Sequence, residues 1–441
     1  MKREGFNSKA GAIAAAAGSA VGLGNIWRFP YVTGENGGAA FLLLYIFFMI
    51  LIALPVLMAE FSIGRMTGKP VTDAFKTLSP KGYWYGIGLS GVICAFVIMS
   101  FYNVVAGWTM YYIYLSITGT LQGLNPDEVS QTFTNTMSDP ILSIYWMIIM
   151  LSITGYVVAR GVSKGIERYS KILMPILLIL IILVCIRSLT LDTENKGITF
   201  LLSPDFSKIT MKSVLEALGQ AFFSLSLGMG TMTTYGSYIS KTQNLPKSAV
   251  SVAMIDFFIA FLAGLMIFPC AFACGVNPGS GPGLVFETLP NIFNQMPMGY
   301  IVSVVFFLLL SVAAVTSSIS MLEVLVDFLL SKFNIKRPRA TAIAVTLTIL
   351  LGIGCASYSP MLDFFDNLSA NVLLPLGGFF IILFVPLRVG AEKMREEMEA
   401  HGGKFKLFPA FYFLAKWVAP WAILFIFISK MLTWIGIDLF A

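Results

Sequence analysis

The sequence predicts an all-α membrane protein of about eleven transmembrane helices, built as a five-plus-five inverted repeat in which helices 1 and 6 are broken. Three observations predict it. Apolar residues make up 57% of the 441 residues and charged residues only 12%, too few charges to clothe a water-facing surface. Apolar runs recur along the whole chain, and each is long enough to cross a hydrocarbon core, which takes roughly 20 residues. Two of these runs are interrupted alike, by small and polar residues, at GSAVGLGN (18–25) and SLSLGMG (224–230).

The runs lie at 9–36, 39–66, 83–119, 140–159, 167–189, 213–239, 246–275, 298–331, 340–358, 366–387 and 409–436, within a single transmembrane domain over 1–441. Several exceed the length of a perpendicular helix, so tilt or extension past the bilayer is expected. The first run follows basic residues and is rich in alanine, as a secretion signal would be. Gly18, Ser19, Gly22, Gly24 and Arg28 interrupt it, so it reads as a mature broken helix.

Lysine and arginine fix the orientation. With the N-terminus in the cytoplasm, the inner segments hold Lys2, Arg3 and Lys9, then Arg65, Lys69, Lys76 and Lys81, Arg160 to Lys171, Lys241 and Lys247, Lys332 to Arg339, and Arg388 to Lys406. The outer segments hold chiefly Lys196, Lys208 and Lys212. An odd number of spans puts the C-terminus outside. The net charge of +6 therefore expresses topology rather than nucleic-acid binding. Cys94, Cys185, Cys270, Cys274 and Cys355 all fall in apolar runs and read as small packing residues. The lone histidine, His401, excludes a histidine metal cluster.

The interrupted runs are five helices apart. With opposite orientations this spacing predicts repeats over 9–189 and 213–388, with an additional helix at 409–436. Broken helices in matching places of two halves point to a binding site near the bilayer midplane. Two glycine-rich packing faces are the other reading of the same residues. A break exposes carbonyls that suit a hard cation and amides whose dipole suits a carboxylate. Ionisable residues inside spans are costly and call for a function: Arg28, Glu60, Asp256 and Asp366, with Glu323 and Asp327 nearer the cytoplasmic end of their helix.

The run GSAVGLGNIWRFPYVTGENGGAAF closely resembles the first helix of the neurotransmitter:sodium symporter family, in its bacterial amino-acid transporter branch. GQAFFSLSLGMGTMTTYGSYIS resembles that family's sixth helix, AAVTSSIS the core of its eighth, and RVGAEKMREEM the loop after its tenth. The resemblance extends from residue 3 to about 436. It implies sodium-coupled symport of a small amino acid in the bacterial inner membrane, with a lipid bilayer and no nucleic acid as surroundings, and no enzyme activity. The oligomeric state stays open.

The resemblance also implies two sodium sites. The first uses the Ala20 carbonyl, Asn25, Ser224, Asp256 and the substrate carboxylate. The second uses the carbonyls of Gly18, Val21 and Ala313 with the hydroxyls of Thr316 and Ser317; without the resemblance, those hydroxyls would be read as bonding to their own preceding turn. The substrate carboxylate is placed against the Leu23 and Gly24 amides and the Tyr102 hydroxyl. Its ammonium meets carbonyls of Ala20, Phe223, Ser224 and Ser226. Ile98, Tyr102, Phe223, Ser226, Met229, Ser317 and Met321 line the side-chain pocket. Gly22 stands where monoamine transporters of the family carry an aspartate, which favours an intact amino acid. The apolar lining, with two adaptable methionines, favours a hydrophobic or aromatic one; ordinary helix packing by Met229 and Met321 is the alternative.

Arg28 and Asp366 resemble the family's outer charged gate, with Tyr102 and Phe223 as an aromatic lid below. Arg3, Phe6 and Tyr238 match the inner gate, but its usual aspartate aligns with Ser331, with Asp327 one turn earlier. Asp256 falls where chloride-dependent relatives have asparagine and Ala260 where they have serine, so chloride-independent transport is expected, with proton countertransport open. Gly165 and Pro175 match a family motif for unwinding the fifth helix to release sodium; proline removes a helix bond and glycine loosens the turn.

Other classes remain distinct. A proton-coupled or exchange carrier on the same fold would need no sodium, a channel would lack a lid, and a sensor would bind without transport. No nucleophile paired with a base, metalloprotease motif or phosphate loop marks an intramembrane enzyme.

Overall fold

A computed structural model describes residues 4–275 and 281–437. Every regular element among the described residues is helical. Among the described residues nine helices are long and apolar enough to cross a membrane: Ala39–Thr67, Tyr85–Ile117, Pro140–Ala159, Val162–Leu189, Leu245–Ala273, Gly299–Phe333, Arg337–Ser357, Ser359–Val389 and Phe408–Trp434. A bent pair, Lys9–Ala20 and Gly24–Glu35, meets at 53° and takes the place of the first expected span. Met211–Ser224 and Thr231–Gly236 flank a non-helical stretch in the place of the sixth.

Local signals set the helix ends. Ser8 caps the first helix, its hydroxyl accepting from the Gly11 amide at 3.0 Å. Asp139 and Asn244 cap the starts of Pro140–Ala159 and Leu245–Ala273, each followed by a proline in the first turn. Gly68, at φ +58°, ends the second span by a left-handed turn that few other residues adopt cheaply.

In lipid, burial of apolar surface does little to drive helix association, so close packing and buried polar contacts do it. Gly107 lets Tyr85–Ile117 approach Pro140–Ala159 so closely that a Cβ there would lie 2.7 Å from the Met147 backbone nitrogen. Tyr85–Ile117 and Gly299–Phe333 are joined by Thr109–Ser311 at 2.7 Å, Ser116–Ser303 at 2.8 Å and Ser318–Asn103 at 2.8 Å. The outer surface carries large apolar side chains, including Ile179, Leu183 and Ile186 on one span. That inverts the soluble pattern and fits a chain facing lipid.

Short helices outside the spans were not legible in the hydropathy. They include Val71–Leu78, Pro126–Ser138 and Ala391–Glu399. The last is clasped to the second span by Arg65, whose Nε lies 2.6 Å from the Glu397 carboxylate in a buried pair. The cysteines are free, and all but Cys274 are buried.

Candidate functional site

The two breaks lie against each other, joined by Ser226 to the Ser19 carbonyl and by Asn25 to Ser224. The first is narrower than its glycines suggest. Gly18, Ser19 and Ala20 stay helical, and the chain opens at Val21, whose backbone is extended. A Cβ on Gly18 would sit 3.3 Å from Thr316 and 3.4 Å from Met174, so the first helix runs close to both neighbours here. The second break spans 225–230, with positive φ at Ser226, Gly228 and Gly230. Ser226 is not glycine, so this conformation costs roughly 1–2 kcal/mol. Hydrogen bonds offset that cost: Ser226 Oγ donates to the Ser19 carbonyl at 3.0 Å, and Thr231 Oγ1 donates to the Ser226 carbonyl at 2.9 Å.

Beside the breaks, Asn25, Ser224 and Asp256 converge. Asp256 is fully buried. Its Oδ1 accepts from Asn25 Nδ2 at 2.8 Å and from Ser224 Oγ at 2.9 Å. Tyr45 donates its phenol to Asp256 Oδ2 at 3.0 Å. The Asp256 carboxylate and the Ser224 and Tyr45 hydroxyls supply oxygens of the kind a hard monovalent cation takes, while Asn25 faces them with its amide nitrogen and turns its oxygen to the Gly22 amide at 3.3 Å.

A second oxygen cluster lies across the first helix. Thr316 Oγ1 donates to the Ala313 carbonyl at 2.9 Å and approaches the Val21 carbonyl at 3.5 Å. Ser317 Oγ lies 3.4 Å from the Val21 carbonyl and 3.3 Å from that of Ser19. The bond from Thr316 to its own preceding turn is thus present together with the contact across helices. The Ala20 and Gly18 carbonyls lie on the same helical turn as these groups.

The expected substrate positions border both clusters. Ala20, Leu23, Gly24, Ile98, Met229 and Met321 are buried. The Tyr102 hydroxyl is buried near the Leu23 amide and Ser317 without a well-formed hydrogen bond to either. Phe223 covers Gly24, one ring carbon lying 2.8 Å from where a Cβ would be. A Cβ on Gly22 would overlap Ser317 Oγ and lie 3.3 Å from the Tyr102 hydroxyl. An aspartate at position 22 therefore cannot enter this arrangement without displacing both.

The gate residues are only partly joined. Arg28 lies over the Phe223 ring at 5.3 Å, donates to Gln220 Oε1 at 2.5 Å and pairs with Glu216 at 3.3 Å. It makes no direct ion pair with Asp366, which is exposed. The Arg28–Asp366 contact expected from the sequence is not made in this arrangement, because Glu216 and Gln220 on Met211–Ser224 take the guanidinium. On the inner side Phe6 is buried against Tyr235 and Tyr238, edge to face at 5.8 and 5.9 Å, and its amide bonds to the Tyr238 carbonyl at 3.0 Å. Arg3 lies outside the described residues. Ser331 donates to Asp73. Tyr238 donates to Glu323 at 2.6 Å, and Arg337 pairs with the same carboxylate at 2.6 Å. Gly165 lies in a wide helical turn, Val162–Glu167, and Pro175 inside Arg168–Leu189, so the fifth span runs without a break here.

Three residues at the site had no role assigned from the sequence. Tyr45 is one of sixteen tyrosines, and nothing in its apolar run marks it. Gln220, whose Nε2 donates to the Gly24 carbonyl at 3.1 Å, could have been noticed as a polar residue just ahead of the second break. Glu60 was flagged only as a costly charge in a span. It is fully buried and accepts from the Gly228 amide at 2.8 Å and from the Thr233 amide and hydroxyl at 3.2 and 3.1 Å.

Similarity to known proteins agrees with this architecture. The chain is 40% identical to an uncharacterized sodium-dependent transporter of Bacillus subtilis, with 96% of each chain covered. It is 37% identical to one of Haemophilus influenzae, with 98% of each covered. The crystal structure of MhsT in complex with L-phenylalanine superposes with a TM-score of 0.89 at 43% identity, covering 97% of this chain and 100% of that one. The model of the sodium:neurotransmitter symporter family matches residues 3–138 and 133–439. A bundle broken at two facing helices, matched along almost its whole length, belongs to the sodium:neurotransmitter symporter family and is a membrane transporter, not an enzyme.

Proposed function

We propose that this transporter carries a hydrophobic or aromatic L-amino acid into a bacterial cell together with sodium, by alternating access, and without chloride. The observation that carries the proposal is the buried Asp256 carboxylate, held by Asn25, Ser224 and Tyr45 beside both helix breaks. Sodium bound there joins the substrate carboxylate to the protein, so each ligand stabilises the other. Thr316 and Ser317 hold the second ion. The bound L-phenylalanine named for MhsT supports a large apolar substrate, as do the buried Met229 and Met321. Gly22 leaves no charge for a free amine.

The energetics suffice. One charge crossing 100 mV yields roughly 2.3 kcal/mol, and a tenfold gradient adds about 1.4 kcal/mol. Two sodium ions then supply about 7 kcal/mol, enough for roughly a 10⁵-fold gradient of a neutral solute at full coupling. Alternating access in this reading moves the two five-helix repeats, 9–189 and 213–388, around the fixed breaks. The N-terminus is cytoplasmic and the C-terminus is outside.

The test is uptake of a labelled amino-acid panel into proteoliposomes, with a sodium gradient against a potassium control. Sodium-dependent accumulation of a hydrophobic or aromatic amino acid, unchanged when gluconate replaces chloride, is the expected result. Equal uptake in potassium rejects sodium coupling, and collapse in gluconate rejects chloride independence. In the fifth span, Pro175→Ala restores a helix hydrogen bond and is expected to slow sodium release to the inside. Time-resolved sodium efflux checks this; an unchanged rate reduces Pro175 to a kink.

A further inference from the structure

Arg28 is held here by Glu216 rather than by Asp366, and Glu216 is itself shared. One carboxylate oxygen, Oε2, pairs with Arg28 Nη2 at 3.3 Å. The other, Oε1, pairs with Lys430. All three side chains are largely but not wholly buried. Asp366 makes no ion pair among the described residues, yet Arg28 is near enough to act on it through space. The guanidinium thus has two candidate anions, one on Met211–Ser224 and one on Ser359–Val389.

We propose that Glu216 and Lys430 form a counter-latch to the outer gate: Glu216 holds Arg28 away from Asp366 while the gate is open, and Lys430 lets it go. This rests on the reading of Arg28 and Asp366 as that gate. When Arg28 swings to Asp366, the largely buried Glu216 would, without Lys430, lose its directly paired cation, and stranding a carboxylate is costly. Lys430 keeps Glu216 neutralised, so the exchange leaves no orphaned charge. It also gives the additional helix, Phe408–Trp434, a role outside the two repeats. Both residues act through Arg28 and are positioning residues.

The two partners then have effects of opposite sign. Glu216→Gln frees Arg28 for Asp366 and favours the closed gate. Lys430→Gln leaves Arg28 as the one cation in direct ion pair with Glu216 among the described residues and favours the open gate. A residue that merely braced the fold would not produce opposite signs.

The test places one cysteine at Ile98, a turn before Tyr102, in the full chain with its five native cysteines replaced. The readout is its alkylation rate by a charged, membrane-impermeant thiol reagent added outside. Relative to the parent, Glu216→Gln is expected to slow the reaction roughly fivefold and Lys430→Gln to speed it by a similar factor. In an Asp366→Asn background both effects vanish. Shifts in the same direction, no shift in either variant, or effects that survive Asp366→Asn overturn the proposal. Size-exclusion profiles identify any variant that fails to fold, and the remaining variant still carries a predicted sign. If the sodium reading itself is wrong, the parent's rate is the same in sodium and potassium while the opposite shifts persist.

Discussion

Asp256→Asn is expected to raise the sodium concentration needed for half-maximal uptake by about a hundredfold or more, with the fold intact. The side chain is buried and bonded on both oxygens, Oδ1 to Asn25 at 2.8 Å and Ser224 at 2.9 Å, and Oδ2 to Tyr45 at 3.0 Å and Ser224 at 2.7 Å. Asparagine has the same shape. Its oxygen still accepts from Asn25, and the hydroxyls of Ser224 and Tyr45 can turn to accept from its amide. The hydrogen-bond network therefore survives, and the loss is the negative charge opposite the proposed ion. Breaking a buried charge pair costs roughly 3–5 kcal/mol, and every 1.4 kcal/mol is about tenfold. Sodium titration of uptake, with thermal melting as the control for folding, checks this. An unchanged sodium requirement would remove Asp256 from the first site. Uptake that becomes chloride-dependent would instead support the carboxylate as the charge that chloride supplies elsewhere in the family.

How much of this was legible in the sequence differs from element to element. Span positions followed from hydropathy because a hydrocarbon solvent leaves the chain few alternatives to helix. The second break was legible nearly to the residue, since SLSLGMG concentrates positive-φ positions at Gly228 and Gly230. The first break was placed too early, at Gly18. Helix propensity disfavours glycine by only about 1 kcal/mol, a weak preference that the helix over Lys9–Ala20 overrides, with Gly18 buried close to Thr316 and Met174. Ser224, Asp256, Thr316 and Ser317 could be grouped only through family resemblance, since they are distant in sequence. Tyr45 and Lys430 carried no signal, because their contacts with Asp256 and Glu216 exist only once distant helices have been packed. The amphipathic helix Val71–Leu78 was missed for a different reason: its hydrophobic stripe is two turns long and lies outside every span.

Glu60→Ala is the second large effect, and it falls on the second break rather than on a ligand. Glu60 reaches from Ala39–Thr67 into the gap between Met211–Ser224 and Thr231–Gly236. There its two oxygens accept from the Gly228 amide and from the Thr233 amide and hydroxyl. Thr233 lies in the first turn of the short helix, where free amides and the helix dipole favour an anion. Gly228 is packed close against the next span, since a Cβ on it would overlap the Leu374 carbonyl and lie 2.9 Å from the Gly378 amide. Alanine would leave two backbone amides unpaired away from water, at roughly 1–3 kcal/mol each. A loss on the order of 3 kcal/mol is a large part of an ordinary stability of about 5–15 kcal/mol. The expected outcome is a lower melting midpoint together with loss of sodium-driven uptake. Glu60→Gln should fall between, because one oxygen still serves Gly228 while its amide faces the Thr233 donor. Melting and uptake measured on all three chains give the order wild type, Gln, Ala; an alanine variant equal to wild type in both would mean the break holds its shape without Glu60. The expected order instead makes the unwound stretch a built feature, pinned by a carboxylate on one side and packed against the backbone of Leu374 and Gly378 on the other, which keeps Ser226 in place against the Ser19 carbonyl.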